Sequence, residues 1–130
     1  MSSSLQSKDD NCIRLRVEKW SQLTNSGIHS ATKIIQGFPW KFRANKDADN
    51  QLYIILYAFK DEESNVWFCD VSVDILLISQ IEGGDNYKIN KTKKHIFTHE
   101  NCDNGISFVL DQPRLLEDPA MVIKNNYELL

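Results

Sequence analysis

Residues 51–80 constrain the fold more than any other part of the sequence, because they form two segments of alternating side chains. In the first segment, residues 51–59, both alternating sets are apolar. One set is Leu52, Ile54, Leu56 and Ala58, and the other is Tyr53, Ile55, Tyr57 and Phe59. The second segment, residues 67–78, alternates between apolar and polar side chains in its middle, which is typical of a strand with one solvent-exposed face. The sequence therefore predicts two β-strands here, and we interpret them as a long hairpin.

Further strands are predicted on both sides of this pair, by alternation or by clusters of β-branched residues. The predicted strands are residues 13–20, 33–36, 38–44, 87–98, 121–123 and 127–130, and the predicted turns include 60–65, 82–86 and 125–126. Residues 111–118, with Pro113 inside and Pro119 after them, predict a short helical or irregular turn. About seven or eight strands at this spacing are typical of an antiparallel β-sandwich. The predicted fold class is therefore all-β.

Length and charge exclude several classes of protein. The chain has 130 residues and a formal net charge of −3, which indicates one domain and gives no basic footprint for nucleic acid. No apolar run approaches the roughly 20 residues of a membrane span. We expect residues 1–11, rich in serine and charge, to be a disordered lead before a domain at 12–130. Three cysteines without metal-site spacing favour a reducing compartment, the cytoplasm or alternatively the nucleus.

The sequence carries no catalytic or phosphate-binding motif, so we predict a protein that is not an enzyme and needs no cofactor. The group His95, His99 and Cys102 matches no zinc template and lacks a fourth ligand, so no metal site is predicted. A weaker alternative is calcium binding by acidic residues of predicted loops, although such loops are commonly only solvated. These acidic residues are Asp47, Asp49, Asp61, Glu62 and Glu63.

Several short motifs resemble the MATH domain (meprin and TRAF homology). Within that family they are similar to the nematode MATH and MATH–BTB proteins. They are LRVEKWS at residues 15–21, GFPWKFRA at 37–44, LYIIL at 52–56, VWFC at 66–69, LLIS at 76–79, FTHEN at 97–101 and GIS at 105–107. Their order and spacing cover nearly all of the predicted domain.

This resemblance implies an eight-stranded antiparallel sandwich of the TRAF type that binds extended peptide segments of partner proteins without catalysis. It also suggests that the domain is the substrate-recognition part of a ubiquitin-ligase adaptor. The alternatives are a TRAF-type oligomerisation scaffold and a MATH domain associated with a deubiquitinase. Because no heptad pattern precedes Ile13, we expect the isolated domain to be a monomer.

The resemblance also implies where a peptide would bind, and alternation along residues 51–59 extends the set. The predicted peptide-binding residues are Tyr53, Ile55, Tyr57, Val71, Val73, His95, Asn104 and Ile106. Tyr53 and Tyr57 enter this set by alternation alone. None of the positions that the resemblance itself implies carries one of the aromatic residues that line the family's grooves, so the predicted specificity differs from that of the family. Two interpretations remain open. Either the set containing Ile55 faces outward and Leu52, Ile54 and Leu56 are core, or the set containing Ile55 is core.

Overall fold

The computed structural model describes residues 11–58, 67–80, 87–110 and 112–130. The strands are β1 (Cys12–Val17), β2 (Ile28–His29), β3 (Lys33–Ile35), β4 (Phe38–Lys46), β5 (Leu52–Ala58), β6 (Phe68–Gln80), β7 (Tyr87–Thr98), β8 (Asp103–Phe108) and β9 (Ala120–Leu129). A 3-10 turn covers Trp20–Gln22, and one short helix, α1, covers Gln112–Leu115. The all-β prediction is confirmed, with nine strands in these residues where about seven or eight were expected. In the same ranges, no helix has the length and apolar character to cross a membrane.

The strands form two antiparallel sheets that pack face to face as a sandwich. Sheet A has the strand order β1-β9-β6-β7, and sheet B has the order β2-β4-β5-β8, with β3 also paired to β4. We call the side of each sheet that is turned away from the core the outer A face and the outer B face. Among the described strands, β7 and β8 lie at the edges of their sheets, each with a paired neighbour on one side only.

The predicted hairpin of residues 51–80 is wrong, because its two strands lie in different sheets. Strand β5 pairs with β4 and β8, and strand β6 pairs with β7 and β9. Each is an inner strand of its sheet, and their apolar sides meet across the core. Alternation predicts that a strand exists and which sides it has, but it contains no information about which strand lies beside it.

The core settles which side of β5 faces inward. Leu52, Ile54, Leu56 and Ala58 are at most 1% exposed, whereas Tyr53, Ile55 and Tyr57 are half-buried on the opposite side. Strand β4 contributes Trp40 and Phe42 to the core, as its own alternation predicts. The interpretation in which the Ile55 set is core is therefore wrong. The reason is the register, because Ile54 lies opposite Ala44 and Ile106, which are also on the inner side.

Two local predictions are also wrong. Trp20 does not continue the first strand but begins the 3-10 turn, where it is buried at 4% exposure. Residues 125–126 are not a turn, because β9 runs through them without interruption. Asn125 is fully buried between Ile13 of β1 and Ile75 of β6, and neighbours on both sides override the turn preference of asparagine. The predicted turns at 60–65 and 82–86, and residues 1–10 of the predicted lead, lie outside the described residues.

Candidate functional site

The outer B face carries an apolar ridge along the middle of strand β5. Tyr53, Ile55 and Tyr57 project from this side at every second position, as the period of a β-strand requires. All three side chains remain half-buried although the core lies on the other side of the sheet. We call these three residues the β5 ridge. They are brought together as predicted, and their use in binding stays a prediction.

The two flanks of the β5 ridge differ in height. On the β4 flank, Arg43 lies opposite Ile55 and Lys41 lies opposite Tyr57, and both side chains are long. On the β8 flank, the three residues opposite the ridge are short and exposed: Asp103, Gly105 and Ser107. This difference leaves a shallow trough over β8, bounded on one side by the ridge.

Gly105 forms the floor of this trough beside Ile55. A Cβ atom added at Gly105 would lie 3.9 Å from the Ile55 Cγ1 atom and 3.9 Å from the Ile54 carbonyl oxygen, which is ordinary van der Waals contact. A larger residue there is therefore compatible with the fold. It would fill the trough without disturbing the sheet.

The trough ends at the free edge of β8, where backbone groups point away from sheet B. The Ala58 N–H donates to the Cys102 carbonyl at 2.9 Å, so alternate residues from Cys102 onward direct their backbone groups toward β5. The N–H and C=O groups of Asp103, Gly105 and Ser107 consequently point to the free edge. The Lys91 Nζ atom of β7 donates to the Ser107 carbonyl at 2.7 Å, which fits this alternation and closes one end of the edge. Asp103 and Gly105 leave the other end available for an added strand.

The β4 flank is positively charged. Lys41 Nζ lies 5.5 Å from the centre of the Tyr57 ring, and the His29 ring lies 6.5 Å from the same ring. The Arg43 Nε atom is buried and has no hydrogen-bond partner within the described part of the chain. A buried donor without a partner is uncommon in folded proteins. The positive charges of Lys41 and Arg43 suit this face to a partner that carries negative charge.

Tyr53 is held at the other end of the ridge by the loop between β4 and β5. Its hydroxyl donates to the Asp47 Oδ2 atom at 3.2 Å, while Asp47 Oδ1 accepts from the backbone N–H groups of Asp49 and Gln51 at 2.9 Å each. The charge of Asp47 is the main cause that raises the pKa of Tyr53 above its usual value. The loop therefore fixes the aromatic ring in place before any ligand arrives.

Val71 and Val73 do not belong to this site. Both lie on the inner side of β6 in sheet A and are 0% exposed, so they belong to the core. The resemblance indicated the strand correctly in sequence, but it could not show which side of the strand these positions occupy.

His95, Asn104 and Ile106 form a separate group at the inner side of the two edge strands. His95 of β7 lies opposite Val71 and packs edge-to-face on Phe97, with ring centres 4.7 Å apart. Asn104 and Ile106 lie within β8 and not in a loop, and both are half-buried on the side that faces the core. His95 Nε2 and Asn104 Oδ1 are buried atoms without a hydrogen-bond partner among the described residues. The eight predicted residues therefore fall into three places, and only the β5 ridge lies on an outer face.

The residues considered for metal binding do not form a cluster. Over the described ranges, no three His, Cys, Asp or Glu side chains come together to hold a metal ion. Asp47 uses both oxygens in the hydrogen bonds of its own loop. Asp61, Glu62 and Glu63 lie outside the described residues.

Sequence reasoning missed Arg43 and Gly105 as parts of this surface. The alternation of β4 already places Arg43 on the side opposite Trp40 and Phe42. What was lacking is the register that sets Arg43, Ile55 and Gly105 side by side across three strands. Such a register depends on contacts between distant parts of the chain.

Comparison with protein families gives a match of the MATH domain model to residues 17–119, most of the chain. Comparison with curated proteins finds none that matches this sequence. The matched range contains β2 to β8, and therefore includes every residue of the β5 ridge and its two flanks.

Proposed function

Because the chain belongs to the MATH domain family, whose members are protein-interaction modules, we propose that it binds an extended peptide segment of a partner protein on the outer B face. The observation that carries this proposal is the β5 ridge beside an open trough and a free strand edge. A peptide that adds to β8 would gain main-chain hydrogen bonds from Asp103 and Gly105. Its alternate side chains would lie in the trough against Ile55.

The charge of the β4 flank supports a narrower statement about the peptide. Arg43 is opposite Ile55 and has a buried Nε atom without a partner in the described residues. A carboxylate from a part of the partner that lies over β4, beyond the segment added to β8, would accept from this guanidinium, and such charge-assisted hydrogen bonds are among the strongest in proteins. We therefore propose that the partner is acidic where it covers the β4 flank.

The test uses peptides selected from a random display library on the whole chain, followed by affinity measurements on synthetic copies. Ile55→Asp should abolish measurable binding, because it removes the apolar contact and repels an acidic peptide. Gly105→Val should weaken binding at least about tenfold by filling the trough, and valine is well suited to a strand.

Matched controls come from the outer A face. Val122→Asp and Ser72→Val place the same side chains on half-buried positions of β9 and β6, and both should leave binding unchanged. Circular dichroism should show all four variants folded. The proposal is overturned if a selected peptide binds Ile55→Asp and Gly105→Val as tightly as the natural sequence, or if the two controls lose binding instead.

Two narrower proposals have a separate basis. From the family membership we propose that the recognised segment belongs to a substrate of a ubiquitin ligase. From the absence of a heptad pattern before Ile13 we propose that the isolated domain is a monomer. For the first, a partner bound through the β5 ridge should be ubiquitinated less in cells that carry Ile55→Asp. For the second, light scattering at micromolar concentration should give the mass of one chain. A stable trimer would favour the oligomerisation scaffold.

A further inference from the structure

A cleft of about 280 Å³ lies at one end of the sandwich, apart from the outer B face. It lies between the 3-10 turn, the end of β4 with the loop that follows it, and the end of α1 with the segment that follows it. The residues that line it are Trp20, Ser21, Lys46, Asn50, Leu115, Leu116 and Asp118. None of them belongs to the β5 ridge or its flanks. The volume corresponds to a ligand of about ten non-hydrogen atoms, since one water takes up roughly 30 Å³.

The walls of this cleft are tied to one another by hydrogen bonds. The backbone N–H of Ser21 donates to Asp118 Oδ1 at 2.6 Å, and the Ser21 hydroxyl donates to Asp118 Oδ2 at 2.8 Å. The Trp20 N–H donates to the Pro119 carbonyl at 2.9 Å. These bonds join segments that are distant in sequence, so the cleft is formed before a ligand binds.

Two lining residues hold a backbone conformation that side chains rarely adopt. Asn50 has φ 61° and Asp118 has φ 54°, and Gln36 is the third non-glycine residue with positive φ in the described part of the chain. Asparagine and aspartate adopt this conformation more readily than other side chains. The Asn50 N–H donates to the Asp47 carbonyl at 3.1 Å and the Asp118 N–H donates to the Leu115 carbonyl at 3.0 Å, so both residues belong to hydrogen-bonded turns that shape the cleft.

The cleft combines apolar walls with one ammonium group, that of Lys46, and one carboxylate, that of Asp118. Trp20 and Leu115 form its buried floor, and Leu116 lies at the rim with 87% exposure. Lys46 Nζ lies 5.1 Å from the centre of the Trp20 ring and donates to the Trp20 carbonyl at 3.3 Å, which positions its ammonium group at the cleft. The only carboxylate in the described lining, Asp118, already accepts two hydrogen bonds from Ser21. Lys46 thus supplies charge and donors for an anion.

We propose that this cleft binds a small apolar carboxylate, with Lys46 contacting the carboxylate and Trp20, Leu115 and Leu116 contacting the apolar part. Two sources share this chemistry: the carboxyl-terminal residue of a partner chain and a free organic acid. A leucine-sized apolar part together with a carboxylate matches the roughly ten non-hydrogen atoms that the cleft volume allows.

Three probes separate the chemistry and the source, each titrated into the full chain and followed by nuclear magnetic resonance at the Trp20 indole N–H. N-acetyl-leucine represents a chain terminus, N-acetyl-leucinamide is its uncharged equivalent, and 4-methylpentanoate represents a free acid. We expect N-acetyl-leucine to bind with a Kd on the order of 1 mM, as its size allows. The amide should bind at least about tenfold more weakly, because it lacks the charge.

Two variants locate the binding. Lys46→Met keeps the apolar stem over Trp20 and removes the charge, and it should weaken the acid at least about tenfold while leaving the amide unchanged. Leu116→Ser, at an exposed position that cannot affect folding strongly, should weaken both probes about threefold. Lys41→Met, on the outer B face, is the matched control and should change neither.

The outcomes either support or overturn the proposal. Binding of both acids supports a free-acid source, and binding of N-acetyl-leucine alone supports a chain terminus. Equal affinity for acid and amide, unchanged binding to Lys46→Met in a folded protein, or no shift at about 10 mM probe would each overturn it. Ile55→Asp should leave this binding intact, so that failure here is distinguishable from failure of peptide binding on the outer B face.

Discussion

The outer faces of the two sheets differ although both are built on a central strand. On sheet B the middle of β5 places Tyr53, Ile55 and Tyr57 outward. On sheet A the middle of β6 places Asp70, Ser72 and Asp74 outward, and Asp74 accepts a hydrogen bond of 2.7 Å from Thr92 of the neighbouring strand. Further along the same side β6 carries the half-buried Leu76 and Ile78, so its polar stretch covers the middle of the strand only. The middle of β5 is apolar where the middle of β6 is polar, and this difference supports the proposal that a partner covers the β5 ridge.

The largest effect is expected when the same substitution is made at two adjacent positions of β5 and the free energies of unfolding are compared. Ile54→Asp should lower the free energy of unfolding by roughly 4 kcal/mol or more, because it buries a carboxylate among apolar side chains. Ile55→Asp should lower it by about 1 kcal/mol or less, since its carboxylate lies opposite Arg43 at the surface. Urea denaturation followed by tryptophan fluorescence measures both. Equal losses would show that the outer B face is as essential to the fold as the core.

A smaller effect on peptide affinity is expected from the positive charge of Arg43 beside the β5 ridge. Arg43→Met should reduce the affinity of a selected acidic peptide about tenfold, because one charge-assisted contact is lost. Replacing the acidic residue of the peptide by its amide should cause the same loss, and the two changes together should cost no more than either alone. Isothermal titration calorimetry measures the cycle. Lys124→Met on sheet A is the control, and a similar loss there would mean that only net charge matters.

The smallest expected effect is a change in the pKa of one of two tyrosines that lie in different environments. Asp47 raises the pKa of Tyr53 on the outer B face, while burial raises the pKa of Tyr127 in the core. Asp47→Asn should return the pKa of Tyr53 toward its usual value and leave that of Tyr127 raised. A raised pKa favours the neutral phenol in the folded state. The associated stability is full below the unfolded-state pKa and is lost as pH rises through the folded-state value. Nuclear magnetic resonance of the assigned tyrosine ring carbons resolves the two groups, and a shift of both after Asp47→Asn would refute the assignment.

The sequence alone predicts the local features of this fold well. Alternation predicts β4 and β5 and the core side chain Trp40, because the period of two is a property of the strand itself. It leaves open which side of β5, that of Leu56 or that of Ile55, faces the core. Pairing is not predictable in the same way, which is why the predicted hairpin of β5 and β6 is wrong and the two strands lie in different sheets. Asn125 shows the same limit, since its turn preference is overridden by β1 and β6, two neighbouring strands that are distant in sequence.

The candidate site was predictable only in part for the same reason. The β5 ridge lies within one strand, and its residues share a side by alternation alone. Arg43 and Gly105 join the ridge only through the register of three strands. Val71 and Val73 were assigned by family position, and their inward orientation could not be known before the sheet was assembled.

The pairing of β1 with β9 has a consequence for how quickly the protein forms. Cys12 lies opposite Asn126, so two segments separated by most of the chain must find each other to complete sheet A. The entropy of closing so long a loop is lost before the contacts that reward it are made, and proteins dominated by such distant pairings fold in milliseconds to seconds. Until β9 is added, one side of β6 stays without its partner strand, and nascent chains are then exposed to aggregation through that edge.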